Sequence, residues 1–221
     1  MTNISSVILG WKTPLKEIFP RILRQYCPPP AVVVDPCSGY KEFYKNLVGI
    51  QKRIQNTQAD LKGNEYKFIF GDIRDLPGND FTADITKKLP LADEIADVVV
   101  FDPPYGSGHH MFSPGNARAV ELYTEISLED IPKLLSAAYP EIHRILKPGG
   151  ILIFKIQDRH YKKKFYPLHI TAVEIFKNLE FYDLIIFRGI MRHRMANLAN
   201  VPYANKKHSY FMIFKKGGKD E

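Results

Sequence analysis

Cysteine is scarce in this chain: Cys27 and Cys37 are the only two among 221 residues. That excludes a disulfide framework and a cysteine-based zinc site. No apolar run is long enough to cross a bilayer. The start of the chain, with Asn3, Ser5 and Ser6, lacks the charged region and apolar core of a secretory signal, so a cytoplasmic protein is expected. No internal repeat is present. Acidic residues are outnumbered, 24 against 31 lysines and arginines, for a net charge of +7. The surplus favours a polyanionic partner and gives no reason to expect a membrane. Hydrophobic content of 45% and the overall length fit one globular domain, residues 1–221.

What is present is organised around residues 98–106. Val98-Val99-Val100-Phe101 reads as a strand covered on both faces. Asp102-Pro103-Pro104-Tyr105 ends it in a rigid polar corner, since each proline fixes φ and lacks an N–H. The C-terminal ends of such strands are where open α/β sheets bind ligands.

The rest of the chain supplies the frame. Thr13 and Pro14 open a helix running to Tyr26 within an N-terminal helical segment, residues 1–30, with Thr13 as cap and Pro20 as a potential break. Ala31-Val32-Val33-Val34 forms a first strand ending at Asp35-Pro36-Cys37-Ser38-Gly39. A helix carrying Phe43, Tyr44, Leu47, Ile50 and Ile54 follows. Amides at such a turn can receive a ligand carboxylate, and Asp35 an ammonium. Residues 67–72 form a second strand ending in Asp72, placed to accept ribose hydroxyls, with Asp75 as a competitor. Residues 81–86 form a short third strand bearing Asp84 and Ile85. Ser127 caps a helix that ends at Lys147-Pro148-Gly149-Gly150, and residues 151–156 form the fifth strand. Residues 159–164 read as a solvated basic loop. A helix over 168–179 and strands over 181–187 and 209–215 complete the chain.

Two segments lack periodicity, 106–126 and 188–208. The first holds His109 and His110, which stand in a Gly- and Pro-rich loop without a second ligand pair, so no metal is expected and a role at the substrate is preferred. The second holds Arg192, Arg194, Lys206, Lys207 and Tyr203, a mix of basic and aromatic residues suited to phosphates and bases.

Asp102-Pro103-Pro104-Tyr105 in this setting resembles the catalytic motif of the amino-methyltransferases, which move a methyl group from S-adenosylmethionine to N4 of cytosine or N6 of adenine. Asp35, Pro36 and Gly39 match that family's cofactor motif, Asp-Pro-Phe-x-Gly-x-Gly; Cys37 replaces its aromatic and Lys41 its second glycine. The stretch from Arg144 to Phe154 resembles the matching part of class I methyltransferases. The resemblance implies an α/β, Rossmann-like class I fold: a seven-stranded, mostly parallel sheet of order 3-2-1-4-5-7-6 with helices on both faces. It implies S-adenosylmethionine held by Thr13, Asp35, Pro36, Cys37, Ser38, Gly39, Asp72, Asp84, Ile85 and Asp102. It places Asp102, Pro103, Pro104 and Tyr105 at the chemistry. Tyr105, His109, His110, Arg192, Arg194, Lys206 and Lys207 then face a nucleic acid, with structured RNA modestly favoured because the two spare segments are short. A small DNA methyltransferase, one with a partner subunit for target recognition, a guanine-N2 RNA methyltransferase and a non-enzymatic nucleic-acid-binding module remain alternatives.

Overall fold

The computed structural model describes residues 4–10, 12–45, 66–104, 126–189, 203–204 and 206–218. Its strands are β1 (Val7–Leu9), β2 (Ala31–Asp35), β3 (Tyr66–Asp72), β4 (Phe81–Thr82), β5 (Ala96–Phe101), β6 (Leu146–Ile156), β7 (Arg159–Tyr161), β8 (Lys164–Tyr166), β9 (Leu179–Arg188) and β10 (Ser209–Lys216). Its helices are α1 (Leu15–Tyr26), α2 (Ile131–Ile145) and α3 (Leu168–Ile175), with a single 3-10 turn at Glu42–Tyr44.

One sheet runs β4-β3-β2-β5-β6-β10-β9-β1. From β4 to β6 all neighbours are parallel, and β10 lies antiparallel between β6 and β9. This is the order that the resemblance implies, with one strand added. β1 pairs in parallel with β9 at the far edge, and Gly10 extends the contact by donating to the Arg188 carbonyl at 2.8 Å.

The uninterrupted apolar runs have the expected cause. In β5, Val98 and Val100 enter a core with Phe19, Ile22 and Leu23 of α1 and Phe43 and Tyr44 of the 3-10 turn. Val99 and Phe101 face the other way, into a core with Leu135, Ala138 and Ile142 of α2 and Leu168 and Ala172 of α3. Each face of the sheet is therefore roofed by helix, and alternate side chains are buried on opposite sides.

Several local expectations are corrected. β4 is two residues long, not six, and residues 73–80 and 83–95 connect their strands by turns. Thr13 does not cap α1; Pro14 holds that position without a side-chain bond, and the helix continues through Pro20. Ser127 does not cap α2: its hydroxyl donates to the Asp130 carboxylate at 2.9 Å, and the helix begins at Ile131. Lys147-Pro148-Gly149-Gly150 is not a helix stop, because α2 passes directly into β6. Leu146 pairs with Ala96 and Ile151 with Val98, so β6 carries three extra residues over that interval, bulged out around Gly149 at φ 75°. α3 ends at Ile175, before the expected Leu179, which already belongs to β9. The helix expected through Leu47, Ile50 and Ile54 lies outside the described residues.

The turn leading into β5 is pinned by one arginine. Arg144 donates to Glu141 at 2.8 Å and to the Leu91 carbonyl at 2.9 Å, and also pairs with Asp93. Glu141 in turn accepts the Leu89 amide at 2.7 Å. Arg144→Met is expected to lower unfolding stability by about 3 kcal/mol, since it leaves a largely buried carboxylate without its cation. Urea denaturation midpoints measure this; a shift under about 0.5 kcal/mol would show the pin to be dispensable.

Candidate active site

The C-terminal ends of β2, β3 and β5 carry Asp35, Asp72 and Asp102, so the parallel sheet gathers three carboxylates along one edge. Asp35 is almost fully buried. Its Oδ1 accepts the Cys37 amide at 3.0 Å and its Oδ2 the Tyr44 hydroxyl at 2.7 Å. Burial pushes its pKa up to about 7; the Tyr44 and Cys37 bonds oppose that, and the charges of Asp102 and Asp72 add to it. Tyr44 is held in place from above, where Phe19 of α1 meets its ring edge-on at 5.2 Å and stacks on Phe43 at 4.9 Å. Burial also pushes the Cys37 thiol well above its usual value, so it remains a neutral thiol.

The loop after β2 is tied to β3. Ser38 donates its amide to the Gly71 carbonyl at 2.9 Å, and Gly39 donates its own to Asp72 Oδ2 at 3.1 Å. Gly39 has φ 48°, and among the described residues no atom stands within 4 Å of where a Cβ would sit. Two residues on, Lys41 adopts φ 58°, ψ 37°. That left-handed conformation is where the resembling family has glycine. The lysine compensates with its side chain, which is buried: Nζ donates to Asn79 Oδ1 at 2.8 Å and to the Pro77 carbonyl at 3.1 Å.

Among the described residues, Asp72 accepts at least four hydrogen bonds. One comes from Gly39, and three come from Arg74, through its amide at 3.0 Å, Nε at 2.9 Å and Nη2 at 3.3 Å. These fill the usual capacity of a carboxylate. Asp84, just past β4, accepts the Thr86 amide at 2.9 Å and hydroxyl at 2.8 Å, and Ile85 beside it is buried. Thr13 lies in the turn between β1 and α1, its amide donating to the Leu9 carbonyl at 3.0 Å.

Asp102, Pro103 and Pro104 emerge from the end of β5, at the middle of the sheet. Lys155 of β6 reaches across and places Nζ 3.2 Å from both Asp102 oxygens. The same Nζ stands 5.7 Å from the centre of the Phe43 ring. Burial raises the Asp102 pKa, and the lysine's charge and hydrogen bonds work against that rise. The sequence reading missed Lys155. It is the one polar residue in Ile-Leu-Ile-Phe-Lys-Ile, and a cation in a strand that ends beside an acid was the available signal. Tyr44 and Arg74, which hold Asp35 and Asp72, were missed as well.

Of the substrate residues read from the sequence, Lys206 and Lys207 are described, in the segment entering β10. Gln157, at the end of β6, donates to the Lys206 carbonyl at 3.1 Å. Tyr105, His109, His110, Arg192 and Arg194 lie outside the described residues. Among the described residues no three His, Cys, Asp or Glu side chains converge on a metal-sized site, and no helix is long and apolar enough to cross a membrane.

Residues 96–221 match the model of an N6/N4 methyltransferase family described as DNA methylase. Over 149 residues the chain is 29% identical to the Type II methyltransferase M.MthZI of Methanothermobacter thermautotrophicus, covering 58% of this chain and 41% of that one. The chain thus spans less than half the length of that relative. Among solved structures it is similar to TrmN from Thermus thermophilus, with TM-score 0.52 and 12% identity over 91% of this chain and 48% of that one. It is similar also to the PH0226 protein of Pyrococcus horikoshii OT3, with TM-score 0.51 and 12% identity over 93% and 91%. At such identities the likeness is one of fold, the Rossmann-like sheet of class I methyltransferases.

Proposed function

The chain belongs to the N6/N4 DNA methylase family, and on that premise we propose that it transfers a methyl group from S-adenosylmethionine to an exocyclic amine of a DNA base, N4 of cytosine or N6 of adenine. The observation that carries this reading is the placement of Asp102-Pro103-Pro104 at the end of β5, beside the buried Asp35 and Asp72.

The residues present suit the cofactor. Three carboxylates crowd one edge of the sheet, and two of them raise the pKa of the third. A ligand carrying an ammonium and a sulfonium relieves that repulsion. Asp35 and the Cys37-Ser38-Gly39 loop, with Pro36 stiffening it, would hold the methionine end, joined there by Thr13 as the resemblance implies. Asp72 would take the ribose once Arg74 yields its place, and Asp84 with Ile85 would border the adenine. When bound, S-adenosylmethionine supplies a methyl group already activated by positive sulfur.

The chain's own task is then to make a poor nucleophile attack. An exocyclic amine has its lone pair delocalised into the base. Asp102 and the Pro103 carbonyl would accept its two hydrogens, turning the lone pair out of the ring towards the methyl carbon. Methylation leaves the amine with one proton too many, which the Asp102 carboxylate would take. Pro103 and Pro104 fix the acceptors, so the gain is one of positioning. Tyr105 would stack on a base turned out of its helix.

DNA is placed first because the family description and the Type II relative both speak for it. RNA is the second reading, favoured by the shortness of segments 106–126 and 188–208 as target-reading regions. We take residues 1–221 as one methyltransferase domain, with those segments at the substrate and a partner subunit able to add target selection.

Labelled methyl transfer to unmodified DNA and to total RNA, followed by nucleoside mass spectrometry, decides the matter. The expected product is N4-methylcytosine or N6-methyladenine in the DNA pool. Label in RNA alone would overturn the choice of DNA, and label on guanine N2 would overturn the assignment of the amine.

A further inference from the structure

Residues 159–164 do not form the solvated loop expected of them. β7 and β8 pair antiparallel as a separate two-stranded ribbon, with His160 opposite Phe165. It begins four residues beyond Lys155, the partner of Asp102, or roughly 13 Å along an extended chain. Its turn consists of Lys162 and Lys163, both at positive φ, 48° and 64°. Lys162, Lys163 and Lys164 are all exposed. No acidic residue occurs from Arg159 to Val173, nor from Gly189 to Lys219.

The ribbon is fastened at its base and along its side. Asp158, buried just before it, accepts the His169 ring nitrogen at 2.7 Å, just beyond it, and the Tyr210 hydroxyl at 3.2 Å. On its flank, His160 stacks on Phe165 at 4.8 Å and on Tyr203 at 4.0 Å with the rings 9° from parallel. Lys206 places Nζ 4.8 Å over the Phe165 ring. Phe165 and Tyr203 remain 41% and 38% exposed, too much for rings that serve only the core.

From this geometry we infer that the β7–β8 ribbon together with Tyr203, Lys206 and Lys207 forms a nucleic-acid strand-binding surface beside the methyl-transfer site. Lys162, Lys163, Lys164 and Lys207 contact phosphates, and the stacked rings ending in Tyr203 offer a platform for an unpaired base. This rests on the reading of the chain as a nucleic-acid methyltransferase and gives that enzyme a grip on the strand around the target. The chemistry is that of strand binding elsewhere: fixed positive charge that tracks a backbone, interleaved with aromatic faces that accept any base. A polynucleotide is favoured over an anionic membrane because the exposed rings are stacked flat on one another, which leaves a planar face and not an apolar wedge.

The test uses the full chain and fluorescently labelled mixed-sequence oligonucleotides, as single-stranded DNA, duplex DNA and RNA, with anisotropy read across salt concentrations. Lys162→Ala/Lys163→Ala/Lys164→Ala is expected to weaken single-strand binding by about tenfold or more at low salt and to reduce the slope of log affinity against log salt by about 2. Tyr203→Ala is expected to weaken single-strand binding by roughly tenfold with the slope unchanged. Neither variant should alter S-adenosylmethionine binding by calorimetry. Wild-type binding that both variants retain in full overturns the ribbon's role and leaves the proposed function standing. Wild-type protein that binds S-adenosylmethionine but none of the oligonucleotides overturns both the ribbon's role and the choice of substrate. Loss of binding to phosphatidylserine vesicles, with oligonucleotide binding intact, assigns the surface to a membrane and overturns it equally.

Discussion

Asp102→Ala is expected to lower kcat by about a thousandfold or more, with S-adenosylmethionine affinity changed by no more than about fivefold. The asymmetry follows from position. Asp102 ends the central strand and, in the proposed function, meets the acceptor, whereas the proposed cofactor loop is built from Asp35, Asp72 and the amides of residues 37–39. Asp102→Asn should fall between, because it keeps an acceptor oxygen and loses the charge. Lys155 gives a second handle on the same group. Burial raises the Asp102 pKa and Lys155 opposes the rise, so Lys155→Met should raise it further. The proposed mechanism requires the ionised carboxylate, so the acid limb of the pH–rate profile should move to higher pH. Single-turnover transfer assays across pH, on variants checked for an intact unfolding transition, measure both effects. Full activity in Asp102→Ala would remove the mechanism.

The second large effect concerns Asp35 and the pH dependence of the ligand-free protein. An ordinary aspartate ionises near 3.8, and Asp35 ionises at about 7 in the folded chain. Between those values the folded state holds a proton that the unfolded state has released. Stability contributed by this group is therefore greatest at low pH and is lost as pH rises through the window, by up to roughly 4 kcal/mol in all. A cationic ligand reverses the preference, since it favours the ionised carboxylate. S-adenosylmethionine should bind more tightly as pH rises from 6 to 8 and should release a proton on binding at pH 6. Asp35→Asn should flatten that dependence and weaken binding by about 10- to 100-fold at pH 8, as the loss of a charged hydrogen-bond partner does. Calorimetry in buffers of different ionisation enthalpy counts the proton. Uptake instead of release, or a pH-independent affinity, would show that Asp35 does not meet the ligand's charge.

Much of this was readable in the amino-acid order because parallel strands leave a plain trace. Ala31 to Val34, Val98 to Phe101 and Ile151 to Phe154 are apolar runs bounded by Asp, Pro or Gly, and the acids stand where the strands stop. What escaped had a physical reason in each case. β1 is three residues long with Val7 half exposed at the sheet's edge, so it carries no burial pattern. The bulge in β6 places Lys-Pro-Gly-Gly inside a strand, where the same letters more often end a helix. The β7–β8 ribbon turns on two lysines at positive φ, a job usually given to Asn or Gly, so its turn chemistry was silent. Of the partners of the site, Lys155 lies on β6 and meets Asp102 at the end of β5 only when the sheet closes, whereas Tyr44 and Arg74 stand close in sequence to the acids they hold, in turns that carry no periodic signal.

Lys41 has a consequence for binding. A glycine at its position would leave the cofactor loop free to sample many shapes, and binding would have to select one. Here the buried ammonium moors the loop to Asn79 and Pro77 through bonds that do not involve the ligand. The ordering entropy is already settled in the folded chain. On the proposed reading, the loop would not have to be ordered on binding, and the adjustment left to the ligand is the release of Asp72 by Arg74.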